Sequence, residues 1–214
     1  MKIGVLGTGT VGQTLAGKLT LLGHDVKMGA REAGNEKAAA WAKGAGGSAS
    51  HGSFADAAAF GEILFNCTMG EASLEALRAA GAENLRGKVL VDVSNPLDFS
   101  KGMPPTLYTP SGDSQGEQIQ REFPEVRVVK GLNTVNASVM VEPGRVPGEH
   151  DIFVCGNDAD AKARFKEILR SFGWKNIVDL GDITGARGME AYLLLWLRLW
   201  GVLQTPDFNI HIAR

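Results

Sequence analysis

Apolar residues along this chain fall into two alternating patterns. Short continuous runs, such as "IGVL" (3–6), "ILF" (63–65) and "VLV" (89–91), have the length and composition of strands buried on both faces. Between the runs, apolar residues recur every three or four positions, as in Val11, Leu15, Leu19 and Leu22, the spacing of a helix with one buried face. Strand "KIGVLG" leads into a helix stopped by Gly23, then strand "DVKMGA", helix "NEKAAAWAKGAG", a weak strand in "GSASHG" and a short helix "SFADAAAF" with Ser53 as N-cap. Strand "EILFNCT", helix "ASLEALRAAG" and strand "KVLVDVS" follow, and Asn95 to Ser114, rich in proline, reads as a long loop. "SQGEQIQREF" restores a helix, with Ser114 and Glu117 spaced as a capping box. After strand "VRVVKGLN" and a loop from Glu142 to Glu149, strands "DIFVCGN" and "NIVDLG" bracket a helix. The apolar face of that helix is Ala161, Phe165, Ile168, Leu169 and Phe172. The alternation predicts an α/β fold: a doubly wound, mostly parallel sheet with helices on both faces.

The pattern breaks at the end. "YLLLWLRLWGVL", Tyr192 to Leu203, is apolar on nearly every face of a helix and should be covered on nearly every face. About 12 residues of helix rise roughly 18 Å, too short for a bilayer core, and Arg198 sits near the middle. One side is expected to pack on the sheet domain, the other to meet a second subunit or line a pocket, with Trp196 and Trp200 as an anchor pair. The chain divides as residues 1–181, the sheet domain, and 182–214, an apolar helix and tail for packing or homodimerisation.

Composition excludes more than it assigns. With 22 basic and 24 acidic residues among 214, a net charge of -2 offers no nucleic-acid footprint and no polybasic membrane patch. Cys67 and Cys155 each lie in an apolar run and read as reduced core thiols of a cytoplasmic protein, with no metal site implied. "MKIGVLG" reads as a first strand and not as a signal peptide.

Candidate chemistry begins where the first strand ends. Gly7, Gly9 and Gly12 in "GTGTVG" fit G-x-G-x-x-G between a strand and a helix, the context in which that pattern binds a dinucleotide. Gly7 permits the tight turn, Gly9 lets backbone approach a pyrophosphate, Gly12 allows close packing, and the helix N-terminus offers N–H groups to the anion. At the end of the second strand, where NAD sites place an acid, stand Gly29 and Ala30, followed by Arg31 and Glu32. A guanidinium there suits the 2′-phosphate of NADP, with Lys37 as a weaker second contact. Later strands end in small neutral polar groups: Asn66, Cys67 and Thr68, then Ser94, Asn95 and Pro96, then Asn133 and Thr134. These suit a nicotinamide ribose and carboxamide. His24, His51, His150 and His211 fall in turns, loops or the tail, and neither Tyr108 nor Tyr192 has a motif around it, so no carbonyl-reducing acid is apparent. A flavin-like acceptor needs none, because the reaction is mostly the positioning of two rings.

"IGVLGTGTVG", "MGAR", "VLVDVSNPLD" and "VVKGLNTVNA" together resemble the F420-dependent NADP oxidoreductases, over most of the chain. The N-terminal module is also similar to the nucleotide-binding domain of the six-transmembrane ferric reductases. The resemblance implies hydride transfer between NADP(H) and a deazaflavin or flavin. It places Thr8, Gly9, Thr10 and Val11 at the pyrophosphate, Arg31 at the 2′-phosphate, and Asn66, Thr68, Asn95, Pro96, Asn133 and Thr134 around the nicotinamide and its acceptor. The single "GTG" turn and Ala30-Arg31-Glu32 depart from the family's usual double glycine and Ser-Arg pair, which leaves the acceptor open. A dinucleotide sensor without turnover and a small-molecule carbonyl or imine reductase are the alternatives.

Overall fold

The computed structural model describes residues 1–213; of the predicted C-terminal unit, only Arg214 lies outside them. The apolar runs form strands β1 (Lys2–Leu6), β2 (Asp25–Ala30), β3 (Ala49–Ser53), β4 (Ile63–Asn66) and β5 (Val89–Asp92). A small hairpin, β6 (Leu97–Asp98) and β7 (Thr106–Leu107), precedes β8 (Arg127–Gly131), β9 (Asp151–Gly156) and β10 (Asn176–Asp179). The helices are α1 (Thr10–Leu21), α2 (Glu36–Ala45), α3 (Phe54–Phe60), α4 (Ser73–Ala80), α5 (Ala82–Leu85), α6 (Gln115–Glu122), α7 (Ala137–Val141), α8 (Ala159–Phe172) and α9 (Ala186–Leu203).

Eight strands make one sheet in the order β10-β9-β8-β5-β4-β1-β2-β3. Its pairs are parallel except β8 with β9, where Val129 opposes Gly156 and Gly131 opposes Val154. Alternate residues of each strand serve opposite faces, as the pleat demands. Ile3, Val5, Ile63, Phe65, Val89 and Val91 pack against α1 and α8, while Leu6, Leu64 and Leu90 pack against α3, α4 and α6. The chain leaves β1 for β2 and β3 on one side, then crosses to β4 on the other. That reversal opens a crevice at the carboxyl ends of β1 and β4.

Local signals act as the residue types require. Ser53 caps α3 in a full capping box with Asp56. Ser114 caps α6 through the Glu117 N–H at 3.1 Å, but the Glu117 carboxylate takes the Ser114 hydroxyl and the Arg187 guanidinium, so that box is half formed. The stretch from Asn95 to Ser114, read as a loop, contains the β6–β7 hairpin. Its two-residue strands are too short to show a period.

The C-terminal helix α9 begins at Ala186, six residues before the apolar stretch, because Ala186, Met189 and Leu193 seat its first half in the core. The two tryptophans divide. Trp196 is buried and stacks on Phe208 at 5.2 Å between ring centroids, whereas Trp200 is 43% exposed. Leu194, Leu195, Val202 and Leu203 are exposed as well, so the helix is not wholly covered by its own chain. Among the described residues, no helix is long and apolar enough to cross a membrane.

Candidate functional site

The crevice is built on the turn between β1 and α1. Gly7 holds φ +121°, and a β-carbon there would lie 2.6 Å from the Cys67 carbonyl oxygen. Its N–H donates to the Gly29 carbonyl at 2.9 Å, tying the turn to β2. A β-carbon on Gly12 would run into the Gly7 carbonyl oxygen. Gly9 differs: its φ is -76°, and an added β-carbon would meet no atom within 4 Å. Neither backbone conformation nor packing calls for glycine at that position, which leaves a clear approach from outside. The Gln13 side chain donates to the Thr8 carbonyl at 2.8 Å and steadies the loop.

Gln13 is the first residue of α1 whose N–H reaches a helical carbonyl, that of Gly9 at 3.0 Å. The N–H groups of Thr10, Val11 and Gly12 are therefore free of helical partners. No side chain caps this end, and its first turn holds no acid. The N-terminus presents open donors and a positive dipole end to the crevice.

Two cavities flank the loop. One, of about 60 Å³, lies beside the end of β2 and is lined by Arg31, Phe54, Thr68, Ala72, Glu75, Ala76 and Ala79. Ala30 is buried at the strand end, and Arg31 beyond it is exposed, with no ion pair among the described residues. Lys37 is exposed in the first turn of α2 and lines neither cavity. The second cavity, of about 230 Å³, is lined by Val11, Cys67, Thr68, Ser94 and Asn95, with Met69, Leu97 and Phe99 forming its apolar side and the exposed Glu71 as its one carboxylate. Thr68 lines both cavities, so they follow one another along the same sheet edge. Cavities of about 180 and 310 Å³ near His150 and His211 include none of these residues.

The strand-end polar residues separate into wall and support. Asn66 is fully buried: its amide donates to Ser73 at 2.5 Å and Asp92 at 2.8 Å, and its oxygen accepts from the Thr68 hydroxyl at 2.7 Å. It holds Thr68 in place and does not line the cavity. Pro96 is buried too, its carbonyl accepting from the Tyr108 N–H at 3.0 Å. Leu132, at φ +63°, turns the chain sharply after β8, a conformation that costs a non-glycine residue about 1–3 kcal/mol. Beyond that turn, the Asn133 amide donates to Asn95 at 2.9 Å, and the Asn95 amide returns a bond to the Asn133 carbonyl at 3.1 Å. Asn133 and Thr134 are buried, and Asn133 Oδ1 and Thr134 Oγ1 have no partner among the described residues. Met69, Leu97 and Phe99 line the cavity although sequence reasoning singled out none of them for it. Ser94, named with the strand-end polar groups, does line it.

Titration narrows the chemistry. Burial pushes the half-buried Cys67 thiol far above its ordinary range, with Asp92 adding to the effect. Burial also raises the Tyr108 phenol, reinforced by Glu190, Asp92 and Glu71. Cys155 is pushed up to about 12 by burial. Both cysteines are free thiols. Among the described residues, no group of three or more His, Cys, Asp or Glu side chains could hold a metal ion.

A doubly wound sheet, a glycine turn opening on its switch point and an uncapped helix end define a Rossmann-type dinucleotide-binding protein. The family described as NADP oxidoreductase, coenzyme F420-dependent, matches residues 2–96. A solved structure from Arthrobacter sp. FB24, a candidate F420-dependent NADP-reductase, is 55% identical over the whole of both chains, with a TM-score of 0.95. The chain belongs to the F420-dependent NADP oxidoreductase family. It is also similar to the rat metalloreductase STEAP3, with 31% identity over 94% of this chain and 38% of that protein. The F420-dependent NADP reductase of Methanocaldococcus jannaschii is 31% identical over 67% of this chain and 64% of that one. The chain thus spans less than two thirds of either curated relative.

Proposed function

We propose that this protein is an NADPH-dependent oxidoreductase that passes a hydride between NADP(H) and a planar flavin-type acceptor, a deazaflavin or a flavin. The observation that carries the reading is the make-up of the crevice. An open glycine turn and an arginine without an ion pair among the described residues lie on one side, and on the other a cavity lined mostly by neutral polar and apolar groups, with the exposed Glu71 as its one charged residue. The residues present fit the nucleotide. The clear space at Gly9 and the free N–H groups of α1 suit a pyrophosphate, and the exposed Arg31 a 2′-phosphate. The partnerless oxygens of Asn133 and Thr134 suit a carboxamide or ribose reaching that depth.

When bound, NADPH supplies the hydride. Thr68, Ser94 and Asn95 orient the ring by neutral hydrogen bonds, while Met69, Leu97 and Phe99 form an apolar wall that excludes water. Cys67 and Tyr108 stay protonated near neutrality, so neither serves as a base, and a flavin-type ring exchanges its own proton with solvent. The test is an NADPH titration followed by an acceptor screen of coenzyme F420, FMN, FAD and quinones. Turnover with a ring acceptor is expected. Tight NADPH binding without turnover would favour a sensor, and turnover confined to carbonyls or imines would favour a small-molecule reductase.

The same reading treats residues 1–181 as the NADP-binding unit and α9 as its contact with a second copy. Leu194, Leu195, Trp200, Val202 and Leu203 are 40–79% exposed on one helix, and a concentration of exposed large apolar side chains marks a contact surface. Light scattering should give twice the 22.7 kDa chain mass. Val202→Glu with Leu195→Glu should return the protein to a monomer with its thermal midpoint nearly unchanged. A wild type that stays monomeric at micromolar concentration would contradict this. The free cysteines fit a reducing, cytoplasmic setting.

A further inference from the structure

Beneath the second cavity lies a lysine that the proposed reaction does not use. Lys130, near the end of β8, is fully buried. Its ammonium donates to Asp92 Oδ2 at 2.7 Å and the Ser94 carbonyl at 2.7 Å, and pairs with Glu190 Oε1 at 2.8 Å. Three acceptors use all three of its protons. Burial opposes its charge, yet Asp92 and Glu190 override burial and hold the ammonium above its ordinary value. Lys130 therefore has no proton to lend and no free face for a ligand.

The network continues to the cavity wall by three routes. Asp92 Oδ1 accepts from the Ser94 hydroxyl at 2.6 Å and from Asn66, which in turn fixes Thr68. Glu190, on α9, accepts the N–H groups of Gln115 at 2.9 Å and Gly116 at 3.1 Å, capping α6, and the Gln115 side chain donates to the Gly70 carbonyl at 2.9 Å. Next to Glu190, the Met189 carbonyl accepts from Asn133, which clasps Asn95. Thr68, Gly70, Ser94 and Asn95 all line the cavity. Replacing a buried ion triad with apolar residues is often neutral or stabilising, so stability alone gives little reason for these charges. Their placement gives a better one: each tie ends on a group that faces the cavity.

We infer that Lys130, Asp92 and Glu190 are positioning residues that lock α9 to the nicotinamide half of the crevice and set Thr68, Ser94 and Asn95 in one register. The inference rests on the nucleotide reading above. Lys130→Met strands two buried carboxylates and is expected not to fold, so Glu190→Gln is the informative variant. Glutamine keeps the shape but turns one oxygen into a donor facing the donors of α6 or Lys130. Two ligands separate the halves of the crevice. 2′,5′-ADP reports the adenosine side alone; NADPH reports both, and its fluorescence polarisation follows the nicotinamide ring. In Glu190→Gln, the Kd for 2′,5′-ADP should stay within about twofold, while that for NADPH rises at least about fivefold and the polarisation falls. Equal weakening of both ligands would overturn the inference, as would a lower Tm with both Kd values unchanged. A wild type that binds 2′,5′-ADP and NADPH, with a variant that matches it, leaves the nucleotide reading standing and sinks this one. A wild type that binds neither overturns both.

Discussion

Gly9→Ala should fold almost as stably as the parent and lose NADPH affinity by about 30-fold or more, whereas Gly12→Ala should lose stability itself. The two glycines sit three residues apart in one motif, and their surroundings are opposite. At Gly9 the backbone conformation is open to any residue and the added methyl meets nothing in the protein. Alanine is a poorer N-cap than glycine, which costs about 1 kcal/mol at most and shifts Tm by about 2–4 °C. The methyl would occupy the space through which a phosphate reaches the helix N-terminus, and losing one or two charge-assisted bonds there amounts to about 2–3 kcal/mol. At Gly12 the obstruction is the Gly7 carbonyl, a backbone group that cannot rotate aside. Overpacking against it should cost about 3 kcal/mol, a fall of about 6–12 °C. Thermal melts and an NADPH titration of both variants check the pair. A Gly9→Ala protein that binds as the wild type does would mean that no ligand approaches this turn.

Arg31→Ala should weaken NADPH about 30- to 150-fold and leave NADH within about twofold. The range is that of a hydrogen-bonded charge pair, about 2–3 kcal/mol, converted to affinity. Selectivity is the informative part. Arg31 is exposed beside the small cavity, without a protein partner to orphan, so its removal should leave folding unaltered. The effect should shrink as salt rises, because an exposed ion contact is screened over about 10 Å at 0.1 M. Parallel loss of both nucleotides would show that Arg31 stacks on the adenine or shapes the loop, and would remove the 2′-phosphate assignment. Competition between NADPH and NADH in a calorimeter, at two salt concentrations, separates these outcomes.

The sheet was legible because burial on two faces writes itself as continuous apolar runs, and helices at 3.6-residue spacing break them up. The glycine turn was legible for a related reason: Gly7 and Gly12 are demanded by φ and by backbone contact, and such demands leave glycine in the sequence. What the strand-end asparagines do was not legible. Asn66 and Thr68 share one side of the pleat, but the strand ends at Asn66, so the first turns into the protein and the second into the crevice. Linear order cannot tell those two outcomes apart. Lys130 was still less visible, since "VRVVKGLN" reads only as a strand. Its partner Asp92 lies 38 residues earlier, and Glu190 arrives only when α9 folds back. The start of α9 was missed because Ala186 and Met189 are spaced for burial without forming an apolar run. Leu195 and Val202 are exposed, so burial within the chain accounts for only part of this stretch's apolar character.

The central claim is that the crevice holds NADPH so that its hydride passes directly to a ring acceptor, with no proton supplied by the protein. NADPH carrying deuterium at the transferring position of nicotinamide C4, mixed anaerobically with the protein and coenzyme F420, tests this most directly by mass spectrometry of the reduced acceptor. The prediction is one deuterium per reduced acceptor, bound to carbon, at a rate that varies little between pH 6 and 8. Label recovered in water, or NADPH left unoxidised while it is demonstrably bound, would contradict it.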